Sequence, residues 1–217
     1  MVTFKDVKNN EDLRTYIRLA DESLVALGYT EHSFAHVGKV ADSAGKILET
    51  LGKDEHTVEL AKIAGFMHDI GNLINRVAHS QSSAVMAFRI LDHLNMPAED
   101  VATIVTAIGN HDEGTGVPVN DVAAALIIAD KCDVRRSRVR DYSQFDIHDR
   151  VNYSVTDSEI VINTDKKELV LMLRIDTEIS PVMDYFEIFL TRMIMCRKAC
   201  EKLGLVFRLK INNQLMV

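Results

Sequence analysis

Proline is scarce in this chain, with three in 217 residues, and glycine numbers only ten, so few positions interrupt regular structure. No low-complexity tract and no internal repeat stands out, and order is expected nearly from end to end. Cysteine is limited to three, an odd number in a chain this long, which argues against a disulfide framework. Basic charge is in deficit. The 25 Lys and Arg against 32 Asp and Glu leave a formal net charge of −7, and the pI is near 5.6. That balance disfavours nucleic acid and anionic membrane as partners. Long hydrophobic runs are also missing. The most apolar stretch, 182–200, is broken by Asp184, Glu187, Arg192, Arg197 and Lys198 and is too short between charges to cross a bilayer. The first six residues hold no apolar signal core, so a reduced, cytoplasmic protein is expected.

What is present is mostly helical periodicity. Hydrophobic residues make up 47% of the chain, enough for a sizeable core. Leu13, Ile17, Ala20, Leu24 and Leu27 mark a first helix over 10–27, stopped by Gly28. A second, over 31–51, carries His36, Val37, Val40, Ala44 and Ile47 on one face. Asp54 caps a third that runs into His68 and Asp69. His79 falls in the first turn of a fourth. Pro97 opens a fifth that ends at His111, and a sixth, capped by Asn120 or Asp121, carries Asp130 at a core-facing position. From about 152 the pattern changes. Residues 153–155, 160–163 and 169–175 read as short strands, with Thr156, Asp157 and Ser158 and then residues 164–167 as turns. A long helix over 181–203 and one more strand, 205–211, follow. The expected architecture is mainly α, a helical bundle over 1–150 with a small α+β appendage over 151–217, an antiparallel meander plus a long helix.

The stretch around His68-Asp69 organises the rest. Adjacent residues on a helix point roughly 100° apart, so this pair serves one ion only from the side, unless the carboxylate bridges two ions. In chain order the candidate ligands are His36, His68, Asp69, His79, His111 and Asp130, each at an end or inner face of an expected helix. With Val40 four residues after His36, Gly71 after the dyad and Lys131 after Asp130, this order resembles the HD-domain superfamily of metal-dependent phosphohydrolases, over roughly residues 30 to 135. Imidazole and carboxylate without thiolate suit one or two divalent ions such as Fe, Mn, Zn or Ni. The resemblance implies that His36, His68 and Asp130 hold one ion and His79 and His111 a second, with Asp69 bridging and catalytic, and that a metal-bridging hydroxide attacks phosphorus. His32, one turn before His36, is a further candidate for the site, whereas His56, His93 and His148 fit no ligand pattern. A subfamily that cleaves cyclic di-GMP carries a Lys after the dyad, a His-His pair and a Gly-Tyr-Pro loop. Here Asn72, Asn110-His111 and Gly116-Val117-Pro118 stand instead.

Lys131, Arg135, Arg136, Arg138 and Arg140 form the densest basic run in an acidic chain, and Arg135 sits about one and a half helical turns past Asp130. With Arg76 they are the expected contacts for a phosphorylated small molecule, a nucleotide above all. The competing role for these arginines is surface pairing with Asp133, Asp141, Asp146 and Asp149. The function expected is hydrolysis of a phosphate ester or anhydride. A non-turnover sensor module and a di-iron oxygenase on the same scaffold are the alternatives. The apolar face of helix 181–203 could also support a homodimer.

Overall fold

The computed structural model describes residues 2–140 and 145–217, so Asp141 lies outside the described residues. The helices in chain order are α1 (Phe4–Lys8), α2 (Glu11–Ala26), α3 (Phe34–Thr50), α4 (Glu55–Met67), α5 (His79–His93), α6 (Ala98–Gly109), α7 (Asp121–Lys131), α8 (Ile147–Ser154) and α9 (Val182–Lys202). Short 3₁₀ turns span Ile70–Leu73 and Arg136–Arg138. Caps set several boundaries. Asn10, Ser33, Asp54 and Asn120 accept hydrogen bonds from backbone N–H groups of the first turns of α2, α3, α4 and α7. The second helix therefore starts at Phe34, after the Ser33 cap, rather than at 31. Among the described residues no helix is long and apolar enough to cross a membrane.

The sheet follows as β1 (Val155–Asn163), β2 (Glu168–Ile175), β3 (Val206–Ile211) and β4 (Gln214–Leu215), in that spatial order. β1 and β2 form an antiparallel hairpin with Asn163 opposite Glu168. Two details differ from the sequence reading. Thr156, Asp157 and Ser158 are not a turn but part of one continuous β1, which absorbs the irregularity as a register shift between Val155 and Asp157. Tyr153 belongs to α8, a short polar helix capped by Asp146. β3 pairs with β2 in parallel, Glu168 opposite Val206 and Leu173 opposite Ile211, because the chain crosses over through α9. In place of the expected meander, the hairpin β1–β2 is joined by a crossover to a second antiparallel pair, β3–β4.

α7 is buried along nearly its whole length, packed between α3, α4 and α6 on one side and α9 on the other. One core cluster runs from Val7 through α7 to Leu169, Leu171 and Leu173 of β2 and Phe207, Leu209 and Ile211 of β3. α9 joins it through Tyr185, Phe189, Met193, Cys196 and Ala199. The sheet-bearing part is therefore built onto the helix that carries Asp130, and the site lies close to it.

Candidate metal centre

Two glycines let the ligand-bearing backbones approach. α4 crosses α3 at Gly65, where a Cβ would stand 2.7 Å from Ala41 Cα, and this brings the end of α4 against His36. His68 is the residue that ends α4, and Asp69 opens the following 3₁₀ turn. At Gly71 a Cβ would overlap the His79 carbonyl and the Ser83 backbone nitrogen, and the Gly71 N–H donates to Ser83 Oγ at 2.7 Å. The start of α5, and with it His79, is seated on the dyad through that contact.

His36, His68, Asp69, His79, His111 and Asp130, spread over almost a hundred residues of sequence, meet at one place. His36 Nε2 lies 3.3 Å from Asp130 Oδ1 and 3.6 Å from Asp69 Oδ2. His68 Nε2 lies 3.2 Å from Asp69 Oδ2 and 3.6 Å from Asp130 Oδ1. Across the same carboxylate, Asp69 Oδ1 stands 3.4 Å from His79 Nε2 and 3.9 Å from His111 Nε2, which are 3.2 Å from each other. The two oxygens of Asp69 thus face two different pairs of imidazoles.

The hydrogen bonding of these rings fits a cation and little else. The Nδ1 atoms of His68, His79 and His111 donate to the carbonyls of Gly65, Arg76 and Ile108 at 2.8, 3.1 and 2.6 Å. A carbonyl offers only lone pairs, so Nδ1 carries a proton, and in His79 and His111, which burial keeps neutral, Nε2 is left as an acceptor. His79 and His111 then point two lone pairs at each other beside a carboxylate oxygen, which is repulsive unless a positive ion lies among them. His36 Nε2 and His68 Nε2 are buried with no hydrogen bond at all, a costly state that a metal ion removes. The donor set is N and O only, suited to a divalent ion.

Charge in the cluster is set by burial and neighbours together. Burial opposes a charged His68, but the Asp69 and Asp130 carboxylates outweigh it and push its pKa up to about 10 in the metal-free protein. Burial holds His79 and His111 below the usual histidine range. Asp69 and Asp130 stay ionised despite burial, Asp69 chiefly through His68 and Asp130 chiefly through Lys131. Lys131 is itself buried, its Nζ 2.7 Å from Asp130 Oδ2 and 3.4 Å from Glu113 Oε1.

The other expected residues fall in several places. Arg76, on the connection between the dyad and α5, donates to Asn72 Oδ1 at 3.3 Å. Arg135 is not on a helical continuation past Asp130, because α7 stops at Lys131 and Cys132 caps it. Its guanidinium instead bonds Glu31 Oε2 at 2.7 Å and Asp133 Oδ1 at 3.0 Å. Arg136 donates to the Tyr153 carbonyl at 2.6 Å and lies over that ring. Arg138 is buried against the carbonyls of Glu31 and Asp133, and Arg140 pairs with Asp21. His32 stacks edge-on against His36 with ring centres 5.5 Å apart and is outside the ligand groups. His56, His93 and His148 bond or face groups elsewhere, such as Asp100 for His56.

Sequence reasoning missed Asp133. It is 2% exposed, and its Oδ2 accepts from His36 Nδ1 at 2.8 Å, while Lys39, Arg135 and Arg138 surround it. It stands three residues after Asp130, a spacing that could have flagged it, but its basic neighbours made surface pairing the simpler reading. Asn72 was also missed as a support: its Nδ2 donates to Asp69 Oδ1 at 3.0 Å. Glu113 and Arg192, paired at 2.8 Å, come together only through the fold and leave no local signal.

Residues 33–135 match the HD domain family, a span that includes all six expected ligands. The uncharacterized protein MJ1020 of Methanocaldococcus jannaschii is 26% identical over 160 residues, covering 63% of this chain and 61% of that protein. The chain thus matches about three fifths of the length of this curated relative. A crystal structure of a predicted HD superfamily hydrolase from an uncultured Thermotogales bacterium is similar at 23% identity with a TM-score of 0.45, over 57% of this chain and 67% of that one. The match over 33–135, within which the ordered histidines and aspartates converge on one buried point, identifies this part of the chain as an HD domain.

Proposed function

We propose that the protein is a metal-dependent phosphohydrolase that acts on a phosphate ester or anhydride of a small molecule, with a nucleotide as the favoured substrate. The observation that carries this reading is Asp69, whose Oδ2 faces His36 and His68 and whose Oδ1 faces His79 and His111. Two divalent ions held there would supply a nucleophilic water near neutral pH and neutralise charge on the phosphoryl oxygens.

The chain's own residues do the rest. Nδ1 hydrogen bonds fix each imidazole plane, so no ring has to reorganise when an ion arrives. Lys131 sets a buried cation next to Asp130, where it attracts a phosphoryl oxygen. Arg76 presents a second cation from the dyad side. Arg135 and Arg136 contribute positive field from positions bonded within the chain. Phosphate release from nucleoside mono-, di- and polyphosphates by protein purified without chelator tests the reading. Release that disappears on chelation and returns with a divalent ion is expected, and no release from any of them by metal-loaded protein contradicts it.

A further inference from the structure

A cavity of about 410 Å3 opens beside His32, lined by Tyr29 and Arg76 from the helical part of the chain and by Phe189 and Arg192 from α9. Each wall is tied to one carboxylate of the metal cluster. On the first, Arg76 Nη1 donates to Asn72 Oδ1 at 3.3 Å, and Asn72 Nδ2 donates to Asp69 Oδ1 at 3.0 Å. On the second, Arg192 Nε lies 2.8 Å from Glu113 Oε1, which is 3.4 Å from Lys131 Nζ, itself 2.7 Å from Asp130 Oδ2. At the floor, the His32 ring stands edge-on to His36, and its Nδ1 donates to the Thr30 carbonyl at 2.6 Å. The cavity therefore reaches the metal cluster through His32, which lines it and stacks on His36, and its lining brings the guanidinium groups of Arg76, Arg138 and Arg192 together with Asp146 and Asp149.

We propose that this cavity is the substrate subsite, that it takes a dianionic phosphate monoester, and that Arg192 contacts the phosphate. The proposal rests on the phosphohydrolase reading for the direction in which the reacting phosphate lies. Arg192 is held from two sides: its guanidinium lies 4.4 Å over the Phe189 ring, and its Nε is engaged by Glu113. Its two terminal nitrogens make no hydrogen bond among the described residues, which leaves the fork that binds phosphate bidentately. Arg138 also lines the cavity, but its donors are spent on the carbonyls of Glu31 and Asp133, so it supplies field and no contact. Glu113 holds Lys131 and Arg192 on one carboxylate and so keeps two cations side by side for an anion. The volume suits a small molecule, and the exposed Tyr29 ring offers a face to an aromatic base.

The test is calorimetric binding of inorganic phosphate to the metal-loaded full chain, with metal content and Tm measured on each sample. Arg192→Ala should bind phosphate at least about tenfold more weakly than wild type, with metal content and Tm unchanged, and Arg192→Lys should recover part of the loss. Arg208→Ala, whose guanidinium pairs with Glu168 on the sheet at 3.1 Å, should bind as wild type does. Equal phosphate affinity in Arg192→Ala and wild type overturns the proposal, as does failure of the metal-loaded wild type to bind phosphate. A weakened Arg192→Ala that has also lost metal or stability overturns the contact role in favour of a structural one. Phosphate binding that weakens as expected, in a wild-type protein that hydrolyses no phosphate ester, overturns the hydrolase reading alone and leaves the subsite standing.

Discussion

His36 differs from the other inward histidines in what holds it. His68, His79 and His111 lean on backbone carbonyls, whereas His36 Nδ1 donates to the buried Asp133 carboxylate, which burial opposes and His36, Arg138 and Arg135 keep ionised. A carboxylate behind an imidazole fixes its tautomer and raises its basicity toward a metal. Asp133→Asn keeps an acceptor of the same shape and removes the charge. It should weaken metal binding roughly 10- to 100-fold in a chelator competition and also lower Tm of the metal-free protein, because Arg135 and Arg138 lose a buried counter-charge; unchanged affinity would show that Asp133 serves only the arginines around it. His68 gives the pH dependence. In the metal-free protein its pKa is raised to about 10, because Asp69 and Asp130 outweigh the effect of burial. Below that pH an incoming ion must displace a proton, so apparent metal affinity should fall about tenfold per pH unit on acidification from there. Calorimetry at pH 8 in buffers of different ionisation enthalpy should detect the released proton. The sign for stability follows from the same shift: the protonated His68 stabilises the metal-free fold fully below its ordinary value near 6.5. That contribution is lost as pH rises through about 10.

At the scale of elements, the cluster depends on how closely helix ends approach. Gly71 has no room for a Cβ against the His79 carbonyl and the Ser83 backbone nitrogen. Gly71→Ala should therefore push the start of α5 away, cost about 1–3 kcal/mol as overpacking does, and lose the ion on the His79 and His111 side first. A metal titration with a thermal melt checks both, and a variant with full metal content and unchanged Tm would contradict the argument. The order of helices α2 to α7 was legible because their apolar residues recur at helical spacing and their caps are polar. The convergence of the six candidate residues was legible because each falls at a helix end or inner face. β1 was harder to read: most of its residues are only partly covered, so alternation is weak and Thr156 to Ser158 passed for a turn. α8 has few apolar residues to mark a period. Arg135 was misplaced because nothing local announces that α7 ends at Lys131, where Asp133 turns back to His36.

For the whole molecule, the histidine and aspartate cluster is tied through Asp130 to α7, the helix that contacts both the bundle helices and α9. An ion that binds only the folded state stabilises it by mass action, about 4 kcal/mol at a thousandfold excess over Kd. For a chain of this size chelation should then lower Tm by roughly 10 °C, and re-addition of the ion should restore it. An unchanged melt would mean that the cluster holds no ion of consequence. The bridging role proposed for Asp69 rests on its two oxygens facing separate pairs of imidazoles. It is tested most directly by counting metal in purified wild type and Asp69→Ala by mass spectrometry, alongside phosphate release from the same samples. About two ions per chain are expected in wild type, with both metal and phosphate release lost in Asp69→Ala; a variant that keeps its full metal content would rule out the bridging role.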